Sequence, residues 1–222
     1  MPSLKALASK GNVWLVILAY GISGGAFAGW GAAMTINFKS LGIGDAESGR
    51  VGLVMVMACC AAALAFARLA DRLRRHTKPA LVALLLLSAL SFLWLSLLCD
   101  RTLPLVRWQL YTSAVAGGAF TFACTPLFTE YAVELAYPVA EGVVGALLSL
   151  VNNLICFVFL MAFFLPMKSV LWVNYLLVAS LAVAVPLVGW SRASYARLER
   201  DEPVGANQEE NEVEGIDEDI II

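Results

Sequence analysis

Six long runs of apolar residues alternate with short polar or charged segments along this chain. The runs lie near residues 13–36, 51–67, 79–99, 106–128, 143–166 and 170–190. About 20 consecutive apolar residues in an α-helix cross the hydrocarbon core of a bilayer. A backbone in lipid must satisfy its own hydrogen bonds, which favours helices. The pattern therefore predicts an all-α membrane protein with six transmembrane helices.

The composition supports this prediction and divides the chain into three parts. Hydrophobic residues make up 60% of the chain and charged residues only 14%, which is typical of membrane proteins. Residues 201–222 contain nine acids and no Lys or Arg, a composition that favours disorder. We expect a cytoplasmic lead-in at 1–12, a six-helix transmembrane domain at 13–190 and an acidic, disordered cytoplasmic tail at 191–222.

Positive charges and tryptophans predict how the helices sit in the bilayer. Ten Lys and Arg residues flank one side of the six spans and five flank the other. Because Lys- and Arg-rich flanks stay in the cytoplasm, both termini and the basic turn at 68–78 are expected there. Six tryptophans lie near span ends, as interfacial anchors do: Trp14, Trp30, Trp94, Trp108, Trp172 and Trp190.

A stripe of glycines marks the first span. Gly21, Gly25 and Gly29 recur every four residues, so they share one face of a helix. Small residues let helices approach closely in a bilayer, which predicts tight packing against a neighbouring helix. Glycine also loosens a helix, and a gating role for this span is a second, compatible interpretation.

Two segments resemble known transporters. The basic turn reads ARLADRLRR over residues 67–75 and resembles the cytoplasmic loop motif G-x-x-x-D-R-x-G-R-R of the major facilitator superfamily. Residues 126–142 read PLFTEYAVELAYPVAEG. They are similar to the P-x-F-x-E-x-x-V-E-x-x-Y-P-x-x-E-G stretch of solute carrier family 49, the feline leukemia virus subgroup C receptor-related transporters. The first span fits the same family, and the similarity is strongest to its branch named disrupted in renal carcinoma protein 2.

The resemblance covers roughly residues 10–198 but only half of the twelve-helix fold of that family. It implies that the six helices correspond to the C-terminal half, helices seven to twelve. In such carriers two halves enclose the substrate near the bilayer midplane, and rocking of one half against the other gives alternating access. The chain is therefore expected either to be a truncated product or to pair with a second six-helix unit.

The resemblance also implies two solute-contacting residues. Asn153 lies about ten residues into the fifth span, roughly 15 Å deep at 1.5 Å per residue, and aligns with a polar substrate-contacting position of the family. Tyr20 corresponds to a tyrosine that lines the family's cavity, and its ring suits an organic cation or a flat heterocycle. The alternatives are an interhelical hydrogen bond for Asn153 and core packing for Tyr20.

Charged residues at the cytoplasmic boundary form a further candidate site. Glu130 and Glu134 are four residues apart and share one face of a helix, and Glu141 stands at the start of the fifth span, where a carboxylate is favoured. We expect these acids to form a gating charge network with the basic turn, while proton coupling by a glutamate is the alternative. The network comprises Asp71, Arg72, Arg74, Arg75, Glu130, Glu134 and Glu141.

The leading functional hypothesis is a major facilitator carrier for a small organic solute. The sequence contains no recognisable nucleophile–base pair, phosphate-binding loop or metal-ligand cluster, so an enzyme, a cofactor, a metal and nucleic-acid binding are not expected. The resemblance favours a vitamin-like solute such as pyridoxine in a lysosomal or plasma membrane, with heme, choline or ethanolamine as alternatives. Membrane lipids and a second six-helix unit are the other expected partners. The rival hypothesis is a non-transporting six-helix protein that assembles with or regulates a partner.

Overall fold

Over the residues that it describes, the structure is a bundle of six long helices. The computed structural model describes residues 10–70, 76–104, 106–162 and 170–191, and over these residues it contains helices and turns but no strand. The helices are α1 (Gly11–Lys39), α2 (Asp45–Ala70), α3 (Thr77–Cys99), α4 (Arg107–Ala136), α5 (Glu141–Met161) and α6 (Trp172–Trp190). The predicted all-α fold with six helices is confirmed.

Two helices extend well beyond their apolar runs. α2 begins at Asp45, six residues before the predicted span, because the acids Asp45 and Glu47 occupy its first turn, where negative charge is favourable. α4 continues to Ala136 instead of ending near residue 128. Its last turns carry polar residues that hydropathy assigns to a loop, although nothing in them opposes a helix.

Five of the six helices are long and apolar enough to cross a membrane. α4 is the exception because polar side chains, including Ser113 and Thr121, interrupt its apolar surface. Both of these hydroxyls are buried in the bundle, and Thr121 donates to the backbone carbonyl of Gly117 at 2.9 Å. Because α4 turns these groups towards its neighbours, it does not present them to lipid and can still cross the membrane. Its composition alone does not mark it as a span, and a sixth span at α4 therefore stays a prediction.

The helices pack as two interlocked groups of three. α4 packs against α2 and α3, α1 packs against α5 and α6, and the groups meet where α1 contacts α4 and α3 contacts α6. The arrangement has an internal symmetry: exchanging α1 with α4, α2 with α5 and α3 with α6 leaves the set of helix–helix contacts unchanged. Nested three-helix repeats of this kind build each six-helix half of a major facilitator transporter.

The glycine stripe of α1 forms a close contact with α5. A Cβ on Gly25 would lie 2.5 Å from the backbone oxygen of Asn152, and one on Gly29 would lie 2.5 Å from the ring of Phe159. Gly21 meets Val151 at the same distance. The packing interpretation of the stripe is confirmed, and the gating interpretation stays a prediction.

Lysine side chains tie helix ends together at one end of the bundle. Lys10, before α1, donates to the carbonyl oxygen of Leu135 near the end of α4 at 3.4 Å. Lys78, in the first turn of α3, donates to the carbonyls of Gly189 and Ser191 at the end of α6, at 2.8 and 2.7 Å. The starts of α1 and α3 and the ends of α4 and α6 therefore share one side, as alternating spans require.

Candidate functional site

Tyr20 lies on α1 where this helix faces both α4 and α5. Its ring packs edge-on against Phe128 of α4, with ring centroids 5.5 Å apart and an interplanar angle of 69°. One helical turn further along, Gly24 faces Asn152 of α5. We call this region, defined by Tyr20, Gly24, Phe128 and Asn152, the crease. In the crease α1 contacts α4 through Tyr20 and Phe128, and α5 through Gly24 and Asn152.

The two adjacent asparagines of α5 have different surroundings. Asn153 is exposed, and its amide nitrogen donates to the carbonyl of Ser149 in its own helix at 2.8 Å. Asn152 is half-buried, and its Oδ1 lies 2.6 Å from the position of a Cβ on Gly24. Among the described residues no hydrogen bond or ring contact joins Tyr20 to Asn153, so a cavity shared by these two residues stays a prediction. The amide that reaches α1 belongs to Asn152, which the sequence reasoning did not select.

The acids of the predicted gating network lie around the junction of α4 and α5. Glu130 is exposed and Glu134 half-buried in the last two turns of α4, and Glu141 is exposed in the first turn of α5. The other members of the predicted network, Asp71, Arg72, Arg74 and Arg75, lie outside the described residues, so the network stays a prediction.

One contact brings the neighbourhood of the basic turn to the level of these acids. Tyr131, between Glu130 and Glu134 in α4, shares a hydrogen bond of 2.8 Å with the hydroxyl of Ser191. Lys78, which ends the basic turn in sequence, donates to the backbone carbonyl of Ser191. The acids of α4 and the end of the basic turn are therefore on the same side of the bundle.

A charged cluster at the opposite end was missed by the sequence reasoning. Arg107 of α4 lies 3.3 Å from the carboxylate of Glu47 in α2, and the Tyr111 hydroxyl donates to the same carboxylate. The cluster borders a cavity of about 370 Å³ whose lining includes Arg50 and Val54. The sequence offered one signal for this cluster. Glu47 lies just before the second apolar run and Arg107 at the start of the fourth, and alternating spans place these two ends on the same side.

A buried amide network joins α1 to α6. The oxygen Oδ1 of Asn174 accepts hydrogen bonds from Trp30 Nε1 at 2.7 Å and from Asn37 Nδ2 at 2.6 Å. All three side chains are at most 1% exposed. Trp30 was predicted to be an interfacial anchor, and this prediction is wrong because its indole is buried against α6. Trp94, Trp108 and Trp190 are exposed, in agreement with that role.

The nested three-helix arrangement, the apolar outer surfaces and the crease define a multi-pass membrane protein of the major facilitator type. Over 202 residues the chain is 32% identical to a solute carrier family 49 member 4 homolog of Xenopus tropicalis, an alignment that covers 90% of this chain and 44% of the relative. The Xenopus laevis homolog is 30% identical with the same coverage. The human choline/ethanolamine transporter FLVCR2 is 28% identical over 152 residues, or 67% of this chain and 28% of that protein.

The chain is a member of the major facilitator superfamily related to solute carrier family 49, as its two motifs predicted. No protein-family model matches it. The chain spans less than half the length of the curated relatives it matches, 44% of the Xenopus proteins, which fits the correspondence to one six-helix half. These relatives are named as solute carriers and transporters, which points to membrane transport and away from enzymatic catalysis.

Proposed function

We propose that the chain works as one six-helix half of a carrier that moves a small organic solute by alternating access. The observation that carries this proposal is the crease on α1, in which an aromatic ring and an amide lie near the middle of a bundle related to solute carriers. In this class of protein the solute site lies at the midplane between repeats. A second six-helix unit would cover the crease and complete the cavity.

The surfaces of α2 and α5 are the ones left free for contact with lipid or with a second unit. Of the five strongly apolar helices these two bury the smallest share of their surface. Leu53 and Met57 of α2 are each 65% exposed, and Leu150 and Leu154 of α5 are 63% and 58% exposed. α2 packs mainly on α4 and α5 mainly on α1, so both surfaces border the two helices that meet at the crease.

We place a vitamin-like solute such as pyridoxine first. Tyr20 offers a flat ring for stacking on a heterocycle, and Asn153 offers a hydrogen-bond donor and an acceptor. Choline and ethanolamine come second, because FLVCR2 is named as a transporter of both, and a tyrosine ring also attracts an organic cation. Heme comes third.

Uptake measurements test the proposal with four labelled solutes: pyridoxine, choline, ethanolamine and heme. The full chain is expressed alone and, in a second arm, in place of the 202 aligned residues of the Xenopus tropicalis relative. We expect uptake of pyridoxine in the second arm. Tyr20→Ala and Asn153→Ala should each lower it about tenfold at equal abundance, because losing a solute contact of about 1.4 kcal/mol changes binding tenfold. Tyr20→Phe should be milder, since it keeps the ring.

Ser91→Ala is the matched control, because Ser91 is polar, lies within α3 and, among the described residues, bonds only to the carbonyl of Leu87 in its own helix. It should transport like the wild type. Wild-type kinetics in both Tyr20→Ala and Asn153→Ala would show that these side chains serve packing only. Absence of uptake for all four solutes in both arms would contradict the carrier proposal.

We further propose that Glu130, Glu134 and Glu141 pair with Arg72, Arg74 and Arg75 in a charge network that also includes Asp71 and that holds one conformation of the carrier. The position of the three acids at the end of the bundle that also holds Lys78 supports this. A network outside the hydrocarbon can open and close without burying a charge in lipid, which suits a gate between two conformations.

We also propose that this end of the bundle faces the cytoplasm, together with both termini. Replacing Lys39 or His76 by cysteine places one label at each end, since α1 ends at Lys39 and α3 begins after His76. A membrane-impermeant maleimide added to sealed right-side-out vesicles should label the Lys39 position and spare the His76 position until the vesicles are opened. Labelling of both positions from one side would contradict the six-span topology.

The second candidate function is that of a non-transporting assembly protein. The exposed faces of α2 and α5 are as compatible with this function as with the carrier. Such a protein would bind a partner through these faces without moving a solute. The two candidates differ in outcome: the assembly protein would form a stable membrane complex and yet take up none of the four solutes.

A further inference from the structure

The cavity beside Glu47 is a groove between α2 and α4, at the end of the bundle opposite Lys78. The residues that α2 contributes recur at the spacing of one helical face, and α4 contributes two residues one turn apart. We call this cavity the α2/α4 groove, and its lining consists of Glu47, Arg50, Val51, Val54, Tyr111 and Val115. The polar residues lie nearer the start of each helix than Val54 and Val115. The groove is therefore polar at its mouth and apolar further along both helices.

Arg50 supplies a positive charge at the mouth of this groove. The carboxylate of Glu47 is already engaged, because Arg107 lies 3.3 Å away and the Tyr111 hydroxyl donates to it. Arg50 is exposed, and within the described part of the chain its guanidinium forms no hydrogen bond or ion pair. Two arginines and one carboxylate leave one positive charge uncompensated at the mouth, which complements an anion.

Trp108 marks the level of the groove in the bilayer. It follows Arg107 at the start of α4 and is 62% exposed. An exposed tryptophan at the end of a span lies between the headgroups and the acyl chains. Tyr111 follows about one helical turn later, so the groove runs from the headgroup region towards the hydrocarbon.

We infer that the α2/α4 groove binds a phospholipid whose headgroup carries a net negative charge. The guanidinium of Arg50 donates hydrogen bonds to the phosphodiester, since its planar fork matches phosphate oxygens. One acyl chain lies against Val54 and Val115. The groove has a volume of about 370 Å³, at the small end of ligand pockets, so the second chain stays in the bilayer.

Other occupants fit the groove less well. A free phosphate matches Arg50 but leaves the apolar length of the groove in contact with water. The acidic residues 201–222 follow Ser191, which lies at the end of the bundle that holds Lys78, across the membrane from the groove. A phospholipid carries both an anion and a chain, and it is already present at this level of the bilayer. The inference does not depend on the proposed transport function.

Lipid titration of the full chain in detergent tests the inference, with bound lipid counted by native mass spectrometry. The probes are dioctanoyl phosphatidylglycerol, dioctanoyl phosphatidylcholine and glycerol 3-phosphate. Arg50→Gln removes the charge at the mouth, and Lys39→Gln is its control because Lys39 is an exposed cation at the same end that pairs with Asp45. Val54→Phe fills the groove, and Val56→Phe is its control because Val56 is 54% exposed, close to the 57% of Val54, but does not line the groove.

We expect the wild type to bind phosphatidylglycerol about fivefold more tightly than phosphatidylcholine, the usual effect of one basic residue on an anionic lipid. Arg50→Gln should raise the Kd for phosphatidylglycerol to that for phosphatidylcholine, whose retained binding shows that the variant is folded. Val54→Phe should raise the Kd for both lipids about 3- to 10-fold, because the ring takes the place of the acyl chain. Both control variants should bind like the wild type, and glycerol 3-phosphate should not bind.

Four results would overturn the inference. Arg50→Gln could weaken phosphatidylglycerol no more than Lys39→Gln does, which would make the attraction a general effect of charge. Equal affinities in Val54→Phe and Val56→Phe would place the lipid outside the groove. Glycerol 3-phosphate that binds as tightly as phosphatidylglycerol would identify a phosphate site. Loss of the preference for phosphatidylglycerol in the chimera with the Xenopus tropicalis relative would show that a second six-helix unit covers the groove. Solute uptake enters none of these measurements, so the carrier proposal is tested separately.

Discussion

Gly25→Ala is expected to lower the stability of the bundle by about 1–3 kcal/mol, the usual cost of forcing an extra methyl group into a packed contact. The methyl group would lie 2.5 Å from the backbone oxygen of Asn152 and 2.9 Å from the Cβ of Ile155. Neither atom can rotate away, since both are fixed to the α5 backbone, so α1 and α5 must separate. The melting temperature of the detergent-solubilised protein should fall by about 5 °C.

The alanine series along α1 provides its own controls. Gly31→Ala adds the same methyl group in open space and should be neutral or slightly stabilising, because alanine favours a helix more than glycine does. Gly24→Ala meets only the end of the Asn152 side chain and should also melt near the wild type. If Gly25→Ala had the same melting temperature as Gly31→Ala and Gly24→Ala, α1 and α5 would not approach as closely as the structure places them.

The sequence predicted the helices and the close-packed stripe because both depend on local composition. Hydropathy identifies a helix in lipid from its own residues, and Gly21, Gly25 and Gly29 mark a close contact whatever helix lies opposite. Hydropathy was less informative for α4, whose polar side chains are turned into the bundle. The apolar run ends near residue 128, whereas the helix continues to Ala136.

The choice between two adjacent amides depends on the rotation of α5 about its axis. Asn152 and Asn153 are about 100° apart on a helix with 3.6 residues per turn, and sequence alone does not state which of them faces α1. The resemblance to transporters selected Asn153, whereas the structure directs Asn152 towards Gly24. Gly24 stands next to Gly25 of the glycine stripe, and nothing in the sequence distinguishes its role. That its missing side chain leaves room for the amide of Asn152 is seen only in the structure.

Trp30 illustrates a contact that local patterns cannot identify. A tryptophan near the end of an apolar span usually anchors in the interface, and the residue type alone supports that prediction. Its partner Asn174 is 144 residues away in sequence, on a helix whose position is set by the packing of α1 with α6. Only the assembled bundle shows that the indole has a buried acceptor.

Asn174→Leu is expected to destabilise the bundle by about 2–4 kcal/mol. The substitution removes the oxygen that accepts hydrogen bonds from Trp30 and Asn37. Two buried donors then lose their acceptor, and each unsatisfied donor costs about 1–3 kcal/mol. Asn153→Ala is the matched control for loss of an intramembrane amide, because Asn153 is exposed and bonds within its own helix. It should change stability by less than about 1 kcal/mol.

A double-mutant cycle distinguishes this network from a simple loss of packing. Trp30→Phe removes the indole donor and leaves Asn37 bonded to Asn174, so its cost is mainly the smaller ring. In the double variant no indole N–H remains to lose its acceptor when Asn174 becomes Leu. The total loss of stability should therefore be about 1 kcal/mol smaller than the sum of the losses in the two single variants. Strict additivity of the two melting shifts would mean that the indole and the amide do not interact, and that Asn37 alone joins α1 to Asn174 by hydrogen bonds.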